Sequence, residues 1–130
     1  MAVSTRFTVN YTGDYLDACG NLTVPDIALD LYAGKPFIQH GFLSDQSPQP
    51  GDATYWDRLY SLEITPEHVA RSEAIVIFRP WVKDSAFVRG ASRLIAVARA
   101  GAGTDKLDLA ACTRNDVVVF NAPDTLTHAT

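Results

Sequence analysis

Leu94-Ile95-Ala96-Val97-Ala98, then Arg99-Ala100-Gly101-Ala102-Gly103-Thr104-Asp105, then Leu107-Asp108-Leu109-Ala110-Ala111-Cys112, is the stretch that decides the fold. An apolar run, a glycine-rich loop and a helix start in this order make the strand–loop–helix unit of an α/β protein. Glycines at 101 and 103 are expected to take φ > 0 and to let the backbone approach a ligand, so that several N–H groups converge on one small anion. A carboxylate suits such a nest. A dinucleotide does not, because its fingerprint needs a third glycine where Lys106 stands. It also needs an acidic ribose partner about 20 residues further on, in a unit for which little chain is left.

Four further strands flank this unit: Phe7 to Tyr11, Phe37 to Leu43, Ala74 to Phe78 and Val117 to Asn121, each bounded by Gly, Pro, Asn or Asp. The runs Ala74 to Phe78, Leu94 to Ala98 and Val117 to Phe120 are continuously apolar, the pattern of parallel strands covered on both faces. The reading is an α/β protein with a parallel sheet of about five strands and helices on both faces. Thr65-Pro66-Glu67-His68 supplies a cap hydroxyl, a proline at the first helical position and an acid in the first turn, announcing a short helix to Arg71. Asp84 or Ser85 is expected to cap a second short helix ending near Gly90. Asp108 caps a third, with Leu109, Ala110 and Cys112 as its apolar face. Gly20, Pro25 and Gly34 break the segment from Gly13 to Gly34, leaving one helical turn near Asp26 to Tyr32. Ser44 to Ala53 reads as a polar, mobile loop.

At 130 residues with 47% apolar content, the chain has the size of one folded domain, for which roughly 100–150 residues is typical. No apolar run approaches the ~20 residues of a membrane span, and Met1 to Arg6 has no signal core, so a cytoplasmic location is expected. A formal charge of −4, with 11 scattered basic residues, argues against a nucleic-acid partner. Cys19 and Cys112 have no Cys or His at ligand spacing; they read as reduced, half-buried thiols, and no metal site is expected. His40, His68 and His128 neither pair at helix-ligand spacing nor adjoin a nucleophile, so none is assigned to catalysis. Trp56 and Trp81 read as packing groups, Trp81 at the rim of a cleft beside Arg79.

The last residues, Asn121-Ala122-Pro123-Asp124 and Leu126-Thr127-His128-Ala129-Thr130, stop where a helix begins, with Thr127 as a cap that has almost no helix behind it. The chain therefore reads as cut from something longer. Together with the run from Arg99 to Thr113, these motifs resemble the NAD-dependent D-2-hydroxyacid dehydrogenases, which include phosphoglycerate, glyoxylate, formate and phosphite dehydrogenases; the resemblance is strongest from Ile75 onward.

That resemblance implies a flavodoxin-like substrate-binding domain over residues 1–126, with 127–130 beginning the helix that crosses to a coenzyme domain. It implies that the N–H groups of Ala102 and Gly103 bind the carboxylate of a small 2-hydroxy or 2-oxo acid, and that Arg79 is a substrate-binding arginine, as in the phosphoglycerate members. It also sets Ala102 and Thr130 beside the cofactor, NAD or NADP. Arg99 and Lys106 are read as surface or domain-contact charges. The family's catalytic Arg, Glu and His and its dinucleotide glycines lie downstream of the crossing helix, so the chain alone is expected to be inactive and to bind no coenzyme. Apolar surface left open by the missing parts is expected to make it a homo-oligomer. The alternative is a stand-alone, non-catalytic flavodoxin-like binding or interaction module. A phospho-receiver is a poor form of it, because the third strand ends in Phe78-Arg79-Pro80 and not in an acidic cluster.

Overall fold

Five parallel strands form one sheet: β1 (Phe7–Thr12), β2 (Ile38–Leu43), β3 (Ala74–Ile77), β4 (Ala96–Arg99) and β5 (Val118–Phe120), in the order β2-β1-β3-β4-β5. The computed structural model describes residues 6–24, 26–91, 93–101 and 103–122. All five expected strands are present, with ends shifted by one or two residues, and their order is the flavodoxin-like one. Among the described residues three short α-helices accompany them, α1 (Tyr55–Arg58), α2 (Pro66–Ala70) and α3 (Leu109–Arg114). The expected helix start at residues 127–130 lies outside the described residues, as do the proposed cofactor contacts Ala102 and Thr130.

Side chains alternate across a strand, so Ile75, Ile77 and Val97 share one face. There they are fully buried with Leu43, Val69, Ala111 and Cys112, under α2 and α3. Each such aliphatic side chain contributes roughly 1.5–3 kcal/mol by leaving water. The other face centres on Val9, Tyr11 and Tyr15, packed by Ile27, Leu29 and Tyr32 of the β1–β2 connection. That connection holds a single 3₁₀ turn at Leu29–Tyr32, close to where one helical turn is expected. Its cover ends at β3. Ile95, Val118 and Phe120 are 52%, 55% and 58% exposed, so β4 and β5 are not buried on both faces as their apolar runs suggest.

The helix starts follow their caps. Thr65 Oγ1 accepts from the His68 N–H at 3.3 Å while His68 Nδ1 accepts from the Thr65 N–H at 3.0 Å, a capping box with histidine in the place usually held by Glu or Gln. With Nδ1 accepting, Nε2 carries the ring proton and donates to Asp45 at 2.8 Å. Asp108 accepts from the Ala111 N–H at 2.9 Å. The buried face of α3 is Ala111 and Cys112, however, and Leu109 points outward at 47% exposure. Between β3 and β4 the expected helix is a single 3₁₀ turn, Asp84–Phe87, preceded by Lys83 and without a side-chain cap. Cys112 is buried and Cys19 is exposed, both as free thiols.

The segment from Ser44 to Ala53 is anchored, contrary to its polar, proline-containing look. Ser47 Oγ donates to the Gly13 carbonyl, Gln46 Nε2 to the Glu63 carbonyl and the Tyr55 hydroxyl to the Gln46 carbonyl, each at 2.8 Å. Gly13 permits this closeness: a Cβ there would stand 2.3 Å from the Leu43 oxygen and 2.6 Å from the Ser47 nitrogen.

Candidate functional site

In a sheet of this order, ligands enter the crevice beyond the carboxyl ends of the strands where the winding reverses, between β1 and β3. The chain leaves β1 as Gly13-Asp14-Tyr15 and β3 as Phe78-Arg79-Pro80. Thr12 Oγ1 donates to Asp14 Oδ1 at 2.6 Å and accepts from the Phe78 N–H at 3.1 Å. Asp14 Oδ2 accepts from the Arg79 N–H at 3.1 Å and lies 3.5 Å from the Arg79 guanidinium. The Asp14 side chain is 1% exposed, and a carboxylate so buried requires this compensation.

Arg79 lies flat over Phe78, 3.9 Å from its ring centroid, and Tyr15 stacks on the same Phe78 at 5.1 Å. Burial pushes the Tyr15 hydroxyl up to about 12; the Asp14 charge adds to this, while Arg99 and Arg79 oppose it. Arg99, at the end of β4, thus acts on the same cluster.

A crevice of about 520 Å³ opens beside Asp14 and Arg79, lined also by Leu16, Val24, Phe78, Pro48, Ala53 and Trp56. Its size is that of a small-molecule site. Trp56, read from the sequence as a packing group, is 66% exposed and lines this opening. Trp81 does not line it; its Nε1 donates to the Tyr60 carbonyl at 2.7 Å, and the Lys83 and Lys106 ammonium groups each sit 5.5 Å from its ring centroid.

The glycine loop leaves β4 directly beside β3, where the Ala100 N–H donates to the Ile77 carbonyl at 3.0 Å. Neither Gly101 nor Gly103 has a positive φ, so the expected left-handed nest is not how this loop uses its glycines. Gly101 gives room to a side chain: a Cβ there would stand 3.1 Å from Arg99 Nη1. At Gly103 the nearest neighbour would be Asp105 Oδ1, also at 3.1 Å. Among the described residues Arg99 has no ion-pair partner.

Lys106 Nζ donates to the Arg79 carbonyl at 3.1 Å, which ties the third-glycine position of a dinucleotide fingerprint to the exit of β3. The start of α3, where a pyrophosphate would sit, is occupied by the Asp108 carboxylate. The described residues therefore do not fit NAD or NADP. His68 is no acid–base candidate, because both ring nitrogens are engaged, with Thr65 and with Asp45. Among the described residues no cluster of three His, Cys, Asp or Glu could hold a metal, and no helix is long and apolar enough to cross a membrane.

The structure thus sets two of the expected site residues, Arg79 and Gly103, at the exits of the neighbouring strands β3 and β4. It adds Asp14, which the sequence reading did not single out, and Trp56, which that reading took for a packing group. The family model described as the D-isomer specific 2-hydroxyacid dehydrogenase catalytic domain matches residues 35–130. The chain belongs to this family. Comparison with curated proteins and with solved structures gave no match. The family match takes in β2 through β5 with Arg79, Arg99 and the glycine loop; Asp14 lies before it.

Proposed function

We propose that this 2-hydroxyacid dehydrogenase domain holds and orients the 2-hydroxy or 2-oxo acid, while NAD or NADP, held outside the described residues, supplies the hydride chemistry. The N–H of Gly103, joined through the family resemblance by that of Ala102, takes the substrate carboxylate, and the Arg99 charge beside Gly101 draws it in. Arg79 forms the adjoining wall, held in place by Asp14 and Phe78. The observation that carries the reading is the glycine loop at the carboxyl end of β4, one strand from the β1/β3 reversal and beside a cation, Arg99, that has no carboxylate partner among the described residues. A cytoplasmic setting fits this role. The exposed row of Ile95, Val118 and Phe120 supports self-association.

The test is calorimetric titration with D-lactate and D-glycerate, on the chain and on Gly103→Val. Saturable binding that the variant loses, while its unfolding free energy stays within about 1 kcal/mol, is the expected result. No binding, or equal binding by the variant, contradicts it.

A further inference from the structure

We propose that the crevice between Phe78 and Trp56 receives an uncharged, bulky C3 substituent, making the preferred substrate a monocarboxylic 2-hydroxy or 2-oxo acid with an aryl or branched alkyl side chain. The inference rests on the carboxylate reading of the glycine loop. Its basis is what the polar groups around the crevice are already doing. Asp14 is engaged by Thr12 and by Arg79. Asp17 Oδ1 accepts from the Cys19 and Asn21 N–H groups, each at 2.9 Å. Asp52 accepts from the Thr54 N–H and hydroxyl and pairs with Arg58. The surface left for a ligand is that of Leu16, Val24, Pro48, Ala53, Trp56 and Phe78.

Charge points the same way. Among the described residues the one guanidinium lining the crevice, Arg79, is matched by Asp14; of the two further carboxylates at the opening Asp52 is matched by Arg58, which leaves the charge of Asp17. A second anionic group on the substrate would meet net negative charge there. Arg99, which has no carboxylate partner among the described residues, lies at the loop instead. One anion is provided for at the loop and none in the crevice.

The strand exits that lead to the two places are adjacent. Ile77 is paired with Arg99 across the sheet, so Phe78 and Ala100 leave neighbouring strands at one level, and such strands lie about 4.8 Å apart. On this reading a carboxylate held at the loop directs its C3 substituent across to Phe78 and the crevice that Phe78 lines.

The experiment compares D-3-phenyllactate, D-lactate, D-malate and 2-phenylethanol by calorimetry on the chain and on Ala53→Trp, a change at an exposed position that fills the crevice. Phenyllactate is expected to bind at least about tenfold tighter than D-lactate or D-malate, with that advantage lost in Ala53→Trp while D-lactate affinity is kept. Phenyllactate no tighter than D-lactate, or D-malate tightest, overturns the inference and leaves the carboxylate site standing. Phenylethanol as tight as phenyllactate supports the apolar crevice but overturns the carboxylate reading. No binding by any probe overturns both.

Discussion

Asp14 and Arg79 join the exits of β1 and β3 through two contacts: the Arg79 N–H donates to Asp14 Oδ2 at 3.1 Å, and the guanidinium lies 3.5 Å from the same oxygen. The backbone contact fixes where the chain leaves β3, and the charge contact fixes how Arg79 faces the crevice. Both depend on Thr12, whose hydroxyl orients the Asp14 carboxylate from 2.6 Å.

Removing the two partners should have unequal effects. Asp14→Ala leaves a backbone donor and a hydroxyl unsatisfied in a buried place and is expected to cost about 2–4 kcal/mol. Arg79 is partly exposed, and Arg79→Gln should cost within about 1 kcal/mol. Urea denaturation of both variants measures the difference. A larger loss for Arg79→Gln would show that the guanidinium, not the carboxylate, organises the site.

Two glycines should likewise behave in opposite ways. Gly13→Ala drives a Cβ into the backbone of the Leu43–Ser47 turn and is expected to destabilise by about 1–3 kcal/mol, as overpacking does. Gly103→Ala meets only the end of the Asp105 side chain, with no positive φ to lose, and should fold with nearly unchanged stability. Thermal unfolding of the pair checks this; equal losses would contradict the described loop geometry.

The strand positions and the helix caps at Thr65 and Asp108 were legible in the sequence because they rest on local signals: apolar runs of strand length and cap residues at fixed offsets. The cover over β4 and β5 was not, since an apolar strand looks the same whether or not anything packs on it. Asp14 was hidden for a related reason. Thr12-Gly13-Asp14 has no motif of its own and gains meaning only once β1 is known to sit beside β3, 65 residues away at Arg79. Ser44 to Ala53 misled because its composition is that of a free loop, whereas its anchors, Gly13, Glu63 and Tyr55, are distant or serve through backbone and ring. The glycine loop was located correctly, but the reason for its glycines was not: they make room for side chains, not for a left-handed turn.

Tyr15 gives the fold a dependence on alkaline pH. Its hydroxyl sits near 12 in the folded chain against an ordinary 10.0, mainly through burial. The unfolded chain therefore loses this proton first, so the stabilisation is complete below pH 10 and falls as the pH rises from 10 toward 12. Tyr15→Phe should flatten the decline in stability over that window, measured by urea midpoints at successive pH values. An unchanged slope would show that Tyr15 ionises as freely in the folded chain as in the unfolded one.

The most direct measurement of the account is amide mapping by ¹⁵N NMR during titration with D-lactate. Saturable shifts centred on Gly101 and Gly103 and reaching Phe78 and Arg79, absent from Gly103→Val, are the predicted result. Shifts centred instead on the opposite end of the sheet, around Thr8, Gln39 and Arg93, or no saturable shift at all, would contradict the assignment of the substrate carboxylate to the glycine loop.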